Sequence, residues 1–150
     1  MTTDWEEIVT TSHLDAVIKM RKLLEVQAYE ETYLGLKTLE DIMSRAERKA
    51  LSSQLKRLML HILKWRYQPQ KRSTSWVASI VDARDEITSL QQYMPSLNNN
   101  HIATIWEECL QKAIIGAKAE MSLSRKDIFE PTPLTWQEVF EDEYLLENND

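Results

Sequence analysis

The sequence predicts an all-α fold, a compact bundle of five main helices with short helices at either end. Three observations predict it. Apolar residues recur every three or four positions through most of the 150 residues, the period of helices with one buried face. Serine, threonine and asparagine precede these stretches and prolines follow them, the order of helix caps and stops. Two glycines and no Asn-Gly or Asp-Gly pair leave few ways to build tight hairpins. The same scarcity excludes a glycine-rich phosphate loop or a dinucleotide fingerprint. With 43% hydrophobic and 28% charged residues the composition is globular, and the length fits one domain over residues 1–150.

In chain order, residues 4–10 make a short helix with Trp5, Ile8 and Val9 as its apolar edge. Ser12 with Asp15 starts the next, whose expected buried face is Leu14, Val17, Ile18 and Leu24. Residues 30–43 form another, with Tyr33, Leu36, Leu39 and Met43 inward and Glu40 and Asp41 near its end. Ser44 and Glu47 then spell a capping box, opening a central helix that runs to about Tyr67. Pro69 stops it, because it disfavours the helical conformation at Gln68 and removes a donor. Leu51, Leu55, Leu58, Ile62 and Trp65 share one face of this helix, and Met59 and Leu63 widen it. Opposite runs a polar stripe of Arg57, His61, Lys64 and Gln68.

Ser73 or Ser75 caps a helix over about 75–94, with Trp76, Ile80, Ala83, Ile87, Leu90 and Met94 as a narrow seam. Pro95 ends it, and the asparagines at 98–100 cap a helix running to about Met121. The inward face of that helix, Ile102, Trp106, Cys109, Ala113 and Ala117, tapers to small residues. Pro131 and Pro133 interrupt the chain, and Thr135 with Glu138 repeats the capping-box pattern for a short terminal helix. Residues 127–150 are expected to dock as a C-terminal segment with an acidic end.

Charge is unevenly spread. Residues 45–72 carry nine basic side chains against one acidic, whereas residues 127–150 carry eight acidic and none basic, within a chain of net charge −6. The middle of the chain therefore wears a basic belt. No apolar run approaches the ~20 residues of a membrane span, and the acidic MTTDWEEIVTT start lacks the layout of a signal peptide. One cysteine cannot form an internal disulfide, so a reducing, cytoplasmic location is expected. His13, His61 and His101 lack a partner ligand three or four residues away, so no metal and no cofactor is expected.

The runs HILKWRYQPQKRSTSW, IVDAR, MPSL and IFEPTPLTWQEVFEDEYL resemble the bacterial domain-of-unknown-function family numbered twenty-nine. The likeness covers about residues 44–97 and 127–145, and more weakly 22–43. The family's pattern falls on His61, Lys64, Trp65, Tyr67, Gln68, Pro69, Arg72, Ser73, Ser75, Trp76 and Arg84. Upstream, where the pattern holds several glutamates before a Leu-Gly, this chain keeps Glu40 and Asp41, with Ser44 near the glycine position. The resemblance implies a small, cytoplasmic, all-helical protein and supplies no reaction.

Three functions are compatible with these residues. The first is a non-enzymatic interaction or regulatory module that binds a protein partner or itself, since no catalytic constellation is assembled in the sequence. The second is a nucleic-acid-associated protein using Lys56, Arg57, Lys64, Arg66, Lys71 and Arg72 on the belt, with Tyr67 available for stacking. The third is a hydrolase or nuclease centred on His61, with Glu40 and Arg84 completing a polar site that includes Arg57, Lys64 and Gln68. Beside these stand plainer roles: His61 as a structural histidine bonded to Glu40 or Asp41, and Cys109 as a small core residue. An acidic tail folded back on the belt is the plain alternative for the cations.

Overall fold

A computed structural model describes residues 3–147. Those residues are helical throughout their regular structure, with no strand among them. The chain divides into two units, Met1–Lys49 and Ala50–Asp150, each with its own apolar cluster.

The N-terminal unit holds α1 (Trp5–Thr11), α2 (His13–Glu25) and the first part of α3 (Tyr29–Tyr67). Asp4 caps α1 by accepting from Glu7 N–H, and Ser12 caps α2 by accepting from Asp15 N–H. The α2–α3 turn closes with Gln27 in the left-handed region (φ 61°), Ala28 N–H donating to Leu23 O at 2.8 Å. That is the Schellman arrangement, here built without glycine. Trp5, Val9, Ala16 and Met20 form the buried cluster, with Ile8, Leu23, Leu39 and Ile42 packed against it. Gly35 makes this possible: a Cβ there would lie 2.8 Å from both the Trp5 ring and Met20 Cγ.

Two expectations are corrected here. The face of α2 read as buried is largely outside, with Leu14 at 68%, Val17 at 48% and Leu24 at 52% exposed. On α3 the same holds for Tyr33, Leu36 and Met43, while Thr32 and Gly35 turn inward. Both helices carry apolar residues on two faces, so periodicity alone cannot choose between them. The small residues Ala16 and Gly35 decide, because only that side lets the Trp5 ring approach closely.

The second correction concerns Ser44. It does not cap a new helix but sits inside the 39-residue α3, so the two expected helices are one. No proline and no glycine falls between Leu36 and Gln68, and a serine alone does not stop a helix among good helix formers. The Arg45 side chain even donates back to Asp41 O, at 3.3 Å.

The C-terminal unit packs the end of α3 against α4 (Thr74–Tyr93) and α5 (Asn99–Glu120). Its core is the face expected from the sequence: Leu51, Leu55, Leu58, Met59, Ile62 and Leu63 from α3, with Ile80, Ala83 and Ile87 from α4. Ile102, Cys109, Ala113 and Ala117 come from α5. Pro69 opens a single 3-10 turn, Pro69–Lys71, after which Ser73 caps α4 by accepting from Trp76 N–H. Asn98 caps α5, accepting from His101 N–H at 2.9 Å. The α5 end repeats the glycine-free left-handed turn at Ser122 (φ 60°). The terminal segment contributes Leu134 and Val139 to the same core and ends in one π-helical turn, Gln137–Glu141.

Candidate functional site

On α3, residues 53, 56, 57, 60, 61 and 64 recur at helical spacing and so share one side. With Glu120 from the last turn of α5, Ser53, Lys56, Arg57, Leu60 and His61 line a hollow of about 390 Å³. The imidazole is oriented by its own helix, its Nδ1 lying 2.8 Å from Arg57 O. A carbonyl only accepts, so Nδ1 carries the hydrogen and Nε2 holds the lone pair of the neutral ring. Burial holds the His61 pKa below its ordinary value, and Lys64 and Arg57 push the same way against the Arg57 carbonyl and Glu120. Lys64 lies beside it, 3.3 Å from Glu120 and 4.6 Å above the Trp76 ring. Gly116 clears the adjoining contact, since a Cβ there would meet Leu60 Cδ1 at 2.7 Å.

A second cluster fastens the terminal segment. Arg66 donates to Thr132 O at 2.8 Å and pairs with the Glu138 carboxylate. The Arg84 guanidinium reaches Val139 O at 2.8 Å and Glu138 O at 3.2 Å. Tyr67 Oη accepts from Thr132 N–H at 3.1 Å, and Tyr144 O–H donates to Glu138 O at 2.7 Å. Thr135 and Glu138 form the reciprocal capping box expected from the sequence. Tyr144 sits edge-on to Trp65, and burial pushes its hydroxyl up to about 12. Burial alone would raise the Glu138 carboxyl; Arg66 and Thr135 outweigh it and hold the group below the usual carboxylate range. Arg72 is engaged too, donating to Trp65 O at 2.8 Å and lying 4.7 Å from the Trp65 ring.

The sequence-marked residues are therefore dispersed. Arg57, His61, Lys64 and Lys56 meet around the α3 hollow. Arg66, Arg72 and Arg84 are held by backbone carbonyls of the C-terminal unit. Gln68 is half-buried at the turn before Pro69, its N–H donating to Lys64 O. Lys71 is exposed. Glu40 belongs to the N-terminal unit, lining a 340 Å³ groove with Asp41, Ser44, Arg45 and Arg48. The histidine bond expected to Glu40 or Asp41 goes instead to the Arg57 carbonyl.

Of the acidic C-terminal residues, Glu138 is the one paired with a belt cation among the described residues, and residues 148–150 lie outside them. Sequence reasoning missed Ser53, Glu120, Thr132 and Glu138 as partners. Ser53 was within reach, four residues before Arg57. Glu120 carries no local signal. Cys109 is buried with its thiol 3.6 Å from Ser52 Oγ, and burial pushes its pKa up, away from nucleophilic use. Among the described residues no group of three or more His, Cys, Asp or Glu side chains is placed to hold a metal ion. No helix there is long and apolar enough to cross a membrane.

Fold and clamp together define an all-helical protein whose C-terminal segment is fastened by arginines to backbone and carboxylate partners. The chain belongs to the family described as domain of unknown function DUF29, whose model matches residues 36–145. α1, α2 and the first turns of α3 precede the matched stretch. Comparison with curated proteins and with solved structures finds no match to the chain.

Proposed function

We propose that this chain is a non-catalytic helical interaction module that binds a protein partner or itself, working in the bacterial cytoplasm. The observation that carries the reading is the apolar surface of residues 14–43. Tyr33 stands 63% exposed, with Leu14, Val17, Leu24, Tyr29, Leu36 and Met43 also open. Isolated exposed leucines are ordinary, but a run of large apolar side chains along two successive helices marks an interaction surface. Of the arginines that would serve chemistry or phosphate binding, Arg66, Arg72 and Arg84 are instead engaged by Thr132, Glu138, Val139 and Trp65, which leaves Arg57 at the hollow. Buried, free Cys109 suits a reducing compartment.

Light scattering and pull-down at low and moderate salt test this proposal. The wild-type chain is expected to associate at both salt concentrations, and a Val17→Lys/Leu36→Lys variant with unchanged helix content is expected not to. A strict wild-type monomer that retains no protein contradicts it. Nucleic-acid binding through exposed Lys56 and Lys71 is the second reading, favoured by their free position on the belt. It requires RNA or DNA affinity that falls steeply with salt.

A further inference from the structure

We propose that the open face of the N-terminal unit docks a second copy of this chain, the two α2–α3 hairpins pairing into a four-helix bundle. The inference rests on the interaction reading above and names the occupant. Leu14, Val17, Arg21 and Leu24 follow three- and four-residue steps along α2. Tyr29, Tyr33, Leu36, Glu40 and Met43 do the same along α3. Both are coiled-coil seams, and their seven apolar members stand 42% to 68% exposed.

The two seams share a side. At ~100° per residue, each lies about a quarter turn round its helix from that helix's buried residues, in the same rotational sense. The three-residue turn and the approach of Met20 to Gly35 make α2 and α3 antiparallel. Equal offsets on antiparallel helices point the same way, so the hairpin presents one apolar face two helices wide. That is half of a four-helix bundle. Its open area is on the order of 700 Å², close to the ~800 Å² each partner buries in a standard interface.

Charge selects the occupant. The α2 seam carries one cation, Arg21, and the α3 seam carries the carboxylate Glu40, both exposed. A two-fold pairing that sets α2 of one copy against α3 of the other joins opposite charges twice over. Pairing like helices would oppose like charges. The chain thus supplies both the surface and its complement.

Sedimentation equilibrium on the full chain from ~1 to ~100 µM tests this. The expected result is a reversible dimer. Arg21→Glu and Glu40→Arg alone each weaken it at least tenfold, and the double exchange restores it to within threefold. Val17→Lys abolishes it, with circular dichroism confirming that each variant stays helical. A dimer indifferent to Val17→Lys and to Arg21→Glu overturns the proposal, as does a double exchange that fails to restore. A wild-type monomer that still retains a protein in pull-down overturns self-pairing and leaves the interaction reading standing. A monomer that retains nothing overturns both.

Discussion

At the scale of single residues, the decisive groups are those whose hydrogen bonds have no substitute. Arg84 donates to two carbonyls of the terminal segment from a half-buried position. Arg84→Met keeps the bulk and removes both donors, taking the side-chain donor from Val139 O and leaving Glu138 O with Tyr144 O–H alone. A loss of about 2 kcal/mol is expected by chemical denaturation. Gln27 and Ser122 hold left-handed backbone that side chains disfavour. Gln27→Gly and Ser122→Gly should each stabilise by roughly 0.5–1 kcal/mol, read as a shift in the urea midpoint.

His61 gives a pH signature. Its folded pKa is lowered, chiefly by burial, so the unfolded chain takes up the proton first. Stability is therefore complete above the unfolded value of about 6.5 and falls as pH drops through the folded value. His61→Gln should flatten that part of the profile. Glu138, also lowered, adds a second loss of the same sign at more acid pH, below the ordinary carboxylate value.

At the scale of elements, the two serines make a matched test. Ser73 accepts from Trp76 N–H at the start of α4, whereas Ser44 lies within α3. Ser73→Ala should cost about 1 kcal/mol, and Ser44→Ala should be neutral or slightly stabilising, because alanine is the better helix former. Equal losses would mean that Ser44 caps a helix start after all.

The pair also marks how far the sequence could be read. Proline-stopped ends at Tyr67 and Tyr93 were legible, as were the caps Ser12, Ser73 and Asn98, because each rests on local chemistry. The α2 and α5 ends were not sharply marked, since glutamine and serine fill the left-handed positions where glycine is the usual sign. The capping box at Ser44 misled because the pattern also occurs inside helices, where the i−4 carbonyls already satisfy the backbone. Leu51, Leu55, Leu58, Met59, Ile62, Leu63 and Trp65 are buried as expected, since Leu60 is the one apolar side chain on the other face of that stretch. α2 offers two faces, and the choice belongs to Ala16, Gly35 and Trp5, which lie up to thirty residues apart in the chain. Of the candidate site, the His61 stripe was visible as spacing. The arginine clamp was not, because its acceptors are backbone carbonyls near the far end of the chain.

At the scale of the molecule, each unit closes its own apolar cluster, yet the N-terminal one leaves a second apolar face uncovered. Leu14, Val17, Leu24, Tyr33, Leu36 and Met43 make up that face, and the proposed pairing of two copies rests on it. The belt, by contrast, is partly neutralised from within, through Glu120 on Lys64 and Glu138 on Arg66. The thiol-labelling rate of a Leu36→Cys variant tests the central claim most directly, since native Cys109 is buried and slow to react. The account predicts that the rate falls severalfold as the protein is concentrated from ~1 to ~100 µM, while a thiol at exposed position 89 on α4 is unaffected. A Leu36→Cys rate that stays at the free-thiol value across that range would contradict it.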